Sequence, residues 1–110
     1  MIDRKTFNEL QQLYGAEFVG ELLDTYFETA PQLIKEMGTT FANGDAAAFS
    51  RAAHSLKSNS ATFGAIELAA LARELEILGR EAKLEEVEAK LPSLEATYLQ
   101  VEDELKAISA

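Results

Sequence analysis

Residues 43–65, NGDAAAFSRAAHSLKSNSATFGA, decide how the chain is read. Asn43-Gly44-Asp45 is punctuation: a glycine in the left-handed region closes one helix, and an aspartate at the N-cap opens the next. From there Phe49, Ala53, Leu56, Ser60 and Phe63 recur at steps of four and three, which lines one face of an α-helix. Gly64 supplies the next stop. Gly44 and Gly64 are thus the structural turns on either side of one amphipathic helix.

The same periodicity extends outward in both directions. Upstream, a long segment from about Ala16 to Ala42 carries Phe18, Leu22, Tyr26, Leu33, Met37 and Phe41, widened by Val19, Leu23, Phe27 and Ile34. Pro31 lies inside it without breaking the apolar phase, so the spacing predicts a kink there and not an end. Before it, Asp3 reads as the N-cap of a short helix whose face is Phe7, Leu10 and Tyr14, stopped by Gly15. Downstream, Leu68, Leu71, Leu75 and Leu78 form the seam of a helix over 65–78, with Gly79 marking its end. The last segment carries Leu84, Val87, Leu91, Leu94, Tyr98, Val101, Leu105 and Ile108 in alternating steps of three and four. Pro92 is expected to kink or briefly interrupt it.

With 6 Gly and 2 Pro in 110 residues, and no period-2 alternation, these stripes predict an all-α chain. Residues 1–110 have the length of a single domain. The expected architecture is an antiparallel up-down-up-down four-helix bundle with a short extra N-terminal helix over one end.

Composition removes several functions. Asp and Glu number 19 against 10 Lys and Arg, a net charge of −9, which disfavours nucleic acid and anionic membrane as partners. With 0 Cys and 1 His there is no thiolate chemistry, no disulfide and no site needing two histidines. Glu85, Glu86 and Glu88 read as a solvated helix face, and nothing in the sequence assembles an independent hydrolase or metal site. Neither a signal peptide nor a membrane-spanning run is evident, so the expected location is the cytoplasm. The Met1 start and the self-contained caps are read as a free-standing chain, and one stripe per helix as a monomer.

The single histidine is the residue left to explain. At about 100° per residue, His54 points roughly 140° away from the inward seam of its helix and faces solvent. Lys57, three residues on, shares that face. Ala47, Ser50, Ser58 and Ala61 surround them, where a solvated face would normally carry Glu, Lys, Gln or Arg. The surface reads as nearly free of carboxylates. A lone exposed histidine is ordinarily just solvated, but this clearing of small side chains suits close approach of another protein.

Ala53-His54-Ser55-Leu56-Lys57-Ser58-Asn59-Ser60-Ala61-Thr62-Phe63-Gly64-Ala65 resembles the signature of histidine-containing phosphotransfer (HPt) domains. That signature is Ala-His, a variable residue, Leu-Lys-Gly, small residues, and a Gly-Ala pair entering the next helix. Leu68, Leu71 and the Leu75-Glu76 pair also look like the family, as does the Phe27, Pro31, Leu33 region. Ser58 departs from it, standing where the family most often has glycine. The resemblance implies that His54 accepts a phosphoryl group through Nε2 from the aspartyl phosphate of a receiver domain and passes it to another receiver. Lys57 would hold the phosphoryl oxygens. Such a chain is a phosphotransfer intermediate more than an independent catalyst. It binds no metal or cofactor itself, the Mg²⁺ being on the receiver. The implied partners are response-regulator receiver domains, including those of a hybrid histidine kinase. They would dock over the histidine helix and its predecessor, through Ser50, Ser55, Ser58 and Ala61, with Gln32, Lys35 and Glu36 on the preceding helix. The alternative is an HPt-fold adaptor that binds receivers without phosphotransfer.

Overall fold

Apolar stripes at helical spacing can be buried only against one another, and the computed structural model, which describes residues 1–109, arranges them so. The helices are α1 (Arg4–Tyr14), α2 (Ala16–Ala42), α3 (Ala46–Thr62), α4 (Ile66–Arg80) and α5 (Leu91–Ser109), with one 3₁₀ turn at Leu84–Glu86. α2 packs on α3, α3 on α4, α4 on α5 and α5 back on α2, closing a four-helix ring, while α1 lies against α2 and α3. The links at 43–45 and 63–65 are too short for anything but antiparallel neighbours. α2 has 27 residues, about 40 Å at 1.5 Å per residue, and sets the 41 Å long axis of the molecule.

The core is built from one face of each helix. Val19, Leu23, Tyr26, Ala30 and Met37 come from α2, Phe49, Ala53 and Leu56 from α3, Leu68, Ala72 and Leu75 from α4, and Leu94, Tyr98, Val101 and Leu105 from α5. Each such leucine contributes about 2 kcal/mol of apolar burial. Tyr26 sits at the centre, its ring against Phe63, Phe27 and Tyr98, and its hydroxyl 2.8 Å from that of buried Ser60.

The N-terminus is stitched across the end of the bundle. The Asp3 amide donates to the Gly64 carbonyl at 2.8 Å, and the Ile2 amide to Glu104 Oε2 at 3.0 Å. Gly64 has φ +83°, and a Cβ there would come within 2.7 Å of the Asp3 carbonyl oxygen, so glycine is required twice over. Among the described residues there is no strand, only a bridge between Ile2 and Ala65.

The structure corrects four details of the sequence reading. α4 does not stop at Gly79 but runs through it to Arg80, because Gly79 is a packing glycine. Residues 84–90 are not the first turns of the last helix: they form the 3₁₀ turn and further turns, with Val87 fully buried. α5 starts at Leu91, so Pro92 lies in its first turn, where a proline has no intrahelical N–H to lose, and opens the helix instead of kinking it. Tyr14 and Phe18 are exposed, their rings tilted against each other across the α1–α2 corner with centroids 5.9 Å apart. Pro31 behaves as its apolar phase required, with α2 helical on both sides of it.

Candidate functional site

α3 is started firmly. Asp45 caps it, its side chain accepting the Ala48 amide at 3.1 Å, and Gly44 makes the preceding turn at φ +71°. Phe49, Ala52, Ala53, Leu56 and Ser60 are then buried, and His54 is left outside with 57 % of its side chain exposed. Its neighbours Ser55, Ser58 and Ala61 are exposed as well.

The ring is not free, however. Glu76 on α4 falls within that helix's inward stripe, beside Ala72, Leu75 and Gly79, and only 5 % of it is exposed. Its carboxylate receives three donors. His54 Nδ1 lies 2.8 Å from Oε2, Arg80 Nη2 donates to the same oxygen at 2.9 Å, and Lys57 Nζ donates to Oε1 at 2.8 Å. Burial alone would raise the Glu76 carboxyl, but the hydrogen bonds and charges of Lys57 and His54 outweigh it and hold it below its ordinary value. An ionised carboxylate can only accept, so Nδ1 carries the hydrogen. In the neutral ring the lone pair is then on Nε2, the other nitrogen.

Two features bring α3 and α4 close enough for this. Gly79 faces Phe49 and Ser50, and a Cβ on it would sit 2.9 Å from Phe49 Cδ2. Ser50 Oγ donates to the Glu76 carbonyl at 3.0 Å. Ser50 is therefore half-buried and engaged in the helix–helix contact, unlike the exposed Ser55 and Ser58. An open depression of about 710 Å³ lies beside His54, lined by Ala46, Ala47, Ser50, Arg51, Arg80 and Ala82 among others.

Of the residues singled out on α2, Gln32, Lys35 and Glu36 are exposed, but Lys35 lines a separate depression between α2 and α5 with Ile34, Tyr98 and Leu99. The α2 side chains that share a depression with α3 are instead Leu22, Thr25, Tyr26 and Thr29, opposite Asn59 and Thr62. The expectation of a histidine face almost without carboxylates fails at Glu76. Sequence reasoning had no role for Glu76, Arg80 or Arg51. The signal for Glu76 was available: an acid eight residues after Leu68 and three before Gly79 is in phase with the buried stripe, and a buried acid needs partners. Among the described residues no cluster of three or more His, Asp or Glu is placed to hold a metal ion.

Comparison with known proteins bears on the family and the fold. No curated protein matches the chain by sequence. The chain is similar to the crystal structure of histidine-containing phosphotransfer protein B (HptB) from Pseudomonas aeruginosa PAO1, with a TM-score of 0.91 and 28% sequence identity, covering 98% of this chain and 93% of that one. The family model described as Hpt domain matches residues 21–110, which take in α3, α4 and the His54–Glu76 pair. The chain belongs to the Hpt domain family.

Proposed function

We propose that this chain is a phosphorelay carrier in which His54 takes a phosphoryl group from the aspartyl phosphate of a receiver domain and gives it to the aspartate of another. The observation that carries this reading is the 2.8 Å contact of His54 Nδ1 with Glu76 Oε2, which directs the Nε2 lone pair away from its buried partner. Family membership and the HptB likeness support it.

The transfer step follows from the chemistry. Nε2 attacks the phosphorus, an N–P bond forms, and the P–O bond to the donor aspartate breaks with its electron pair returning to that carboxylate. The ring then holds hydrogen at Nδ1 and phosphorus at Nε2, and the positive charge it gains lies against the Glu76 carboxylate. The loose transition state puts negative charge on the equatorial oxygens, so positioned cations stabilise it. Lys57 has three donors and spends one on Glu76 Oε1, leaving others for phosphoryl oxygens. Any Mg²⁺ the reaction uses belongs to the receiver. The reading places the protein in the cytoplasm, as a monomer, with receiver domains as partners, those of a hybrid kinase included.

The test is to mix the protein with a phosphorylated receiver and follow acid-labile label. Wild type takes label and His54→Gln does not. Label on the variant at the wild-type rate ends the proposal.

A further inference from the structure

The depression beside His54 has a charge that the carrier chemistry does not use. It lies between the N-terminal half of α3 and the C-terminal end of α4. Ala46, Ala47, Ser50 and Ala82 give it a lining of small side chains, and Arg51 and Arg80 add two guanidinium groups. Arg51 is exposed and makes no ion pair among the described residues. Arg80 offers one nitrogen to Glu76 and keeps 67 % of its side chain exposed. Glu76 is the one carboxylate in the lining, and its oxygens already receive three donors. In a chain of 19 acidic and 10 basic residues, the surface next to the reactive imidazole is therefore locally cationic.

We infer that this depression is a docking site for an acidic loop of the receiver, whose aspartate or glutamate side chains pair with Arg51 and the outer donors of Arg80. The inference rests on the carrier reading and adds to it a second surface, on the α4 side of His54. Three properties favour this occupant. Small lining residues admit a loop backbone closely. A guanidinium fork pairs with a carboxylate through two parallel hydrogen bonds. Opposite charge beside the reacting atom steers the partner during encounter and fixes its register, which acts mainly on the association rate. Arg51 is a specificity residue in this scheme, since neither the imidazole nor Glu76 takes a hydrogen bond or ion pair from it.

The experiment uses the full chain and a panel of purified receiver domains phosphorylated from acetyl phosphate, taking forward the one that labels His54 fastest. The second-order transfer rate is measured for wild type, Arg51→Glu, Arg51→Lys and Arg73→Glu between about 20 and 300 mM salt. Arg73 is exposed on α4 and lines a different depression, with Glu67 and Leu71, so it controls for net charge. The expected result is at least a ~5-fold slowing for Arg51→Glu at low salt, shrinking as salt rises, with Arg51→Lys close to wild type and Arg73→Glu slowed little. Equal rates for Arg51→Glu and Arg73→Glu, with wild-type labelling intact, overturn the docking site and leave the carrier reading standing. Failure of every receiver to label wild type overturns the carrier reading and the docking site with it.

Discussion

His54 on α3 and Glu76 on α4 meet at 2.8 Å, an exposed imidazole anchored to a buried carboxylate. The pair divides the work: Glu76 fixes which ring nitrogen holds the hydrogen, and His54 presents the other. Replacing Glu76 by Gln keeps the size but lets the ring adopt either tautomer, and Glu76→Ala removes the anchor altogether. Transfer to His54 should fall about 10- to 100-fold in Glu76→Ala, by analogy with the loss of a group that orients a metal-bound histidine. Glu76→Gln should fall less, and nitrogen NMR of its imidazole should show a mixture of tautomers. Wild-type transfer in Glu76→Ala would remove Glu76 from the mechanism.

The same carboxylate gives stability a pH dependence. Its pKa in the folded protein lies below the ordinary 4.5, so the folded state binds the proton less readily than the unfolded one. The stabilisation is fully present above the unfolded value and is lost as pH falls through the folded one. The difference in urea midpoint between wild type and Glu76→Gln, followed from pH 7 downward, should therefore narrow below about pH 4.5. A constant difference across that range would show that the ion pairs of Glu76 do not couple to folding.

Gly79→Ala should destabilise by about 1–3 kcal/mol, the usual cost of overpacking. Its Cβ would lie 2.9 Å from a ring carbon of Phe49 and 3.2 Å from the Ser50 amide nitrogen, which is backbone and cannot swing aside. α4 must then move off α3, lengthening the His54–Glu76 contact, so the transfer rate should drop along with the denaturation midpoint. An unchanged midpoint would mean that the helices re-seat freely.

Gly38→Ala should do the opposite. Gly38 lies inside α2, and a Cβ there meets nothing within 4 Å. Glycine in a helix interior costs about 1 kcal/mol relative to alanine, and here no close approach requires it. Thermal unfolding should shift upward; a downward shift would point to a packing demand on that face.

These residues also mark how far the sequence could be read. The bundle was legible because steps of three and four from Phe49 to Phe63, and from Leu94 to Leu105, have no other use than a buried helix face. Periodicity cannot tell two kinds of glycine apart. Gly44 ends a helix through its positive φ, whereas Gly79 continues one and is glycine because Phe49 presses on it from another helix. Val87 keeps the phase of α5 without being in it, since the turn that follows the 3₁₀ segment can bury one side chain as well as an α-helix can. Tyr14 and Phe18 are on the expected stripes but beyond the reach of a covering element. At the site, the outward angle of His54 followed from helix geometry alone. Its tie to Glu76, 22 residues later, depends on how α3 and α4 are rotated against each other, which no local spacing records.

The stitching of the N-terminus has a consequence for how the protein is made. The Ile2 amide is held by Glu104, 102 positions further along the chain, while α3 and α4 are joined by a tight turn at 63–65. Residues leave the ribosome in order, and near contacts close sooner than distant ones. The His54–Glu76 hairpin is therefore expected to assemble before the Ile2–Glu104 bond can close. Hydrogen exchange on stalled nascent chains would read this directly, and protection of Ile2 before Glu104 has emerged would reverse the order. The clasp at Ile2 is thus the closing step of the fold, made only when the helix that carries Glu104 is in place.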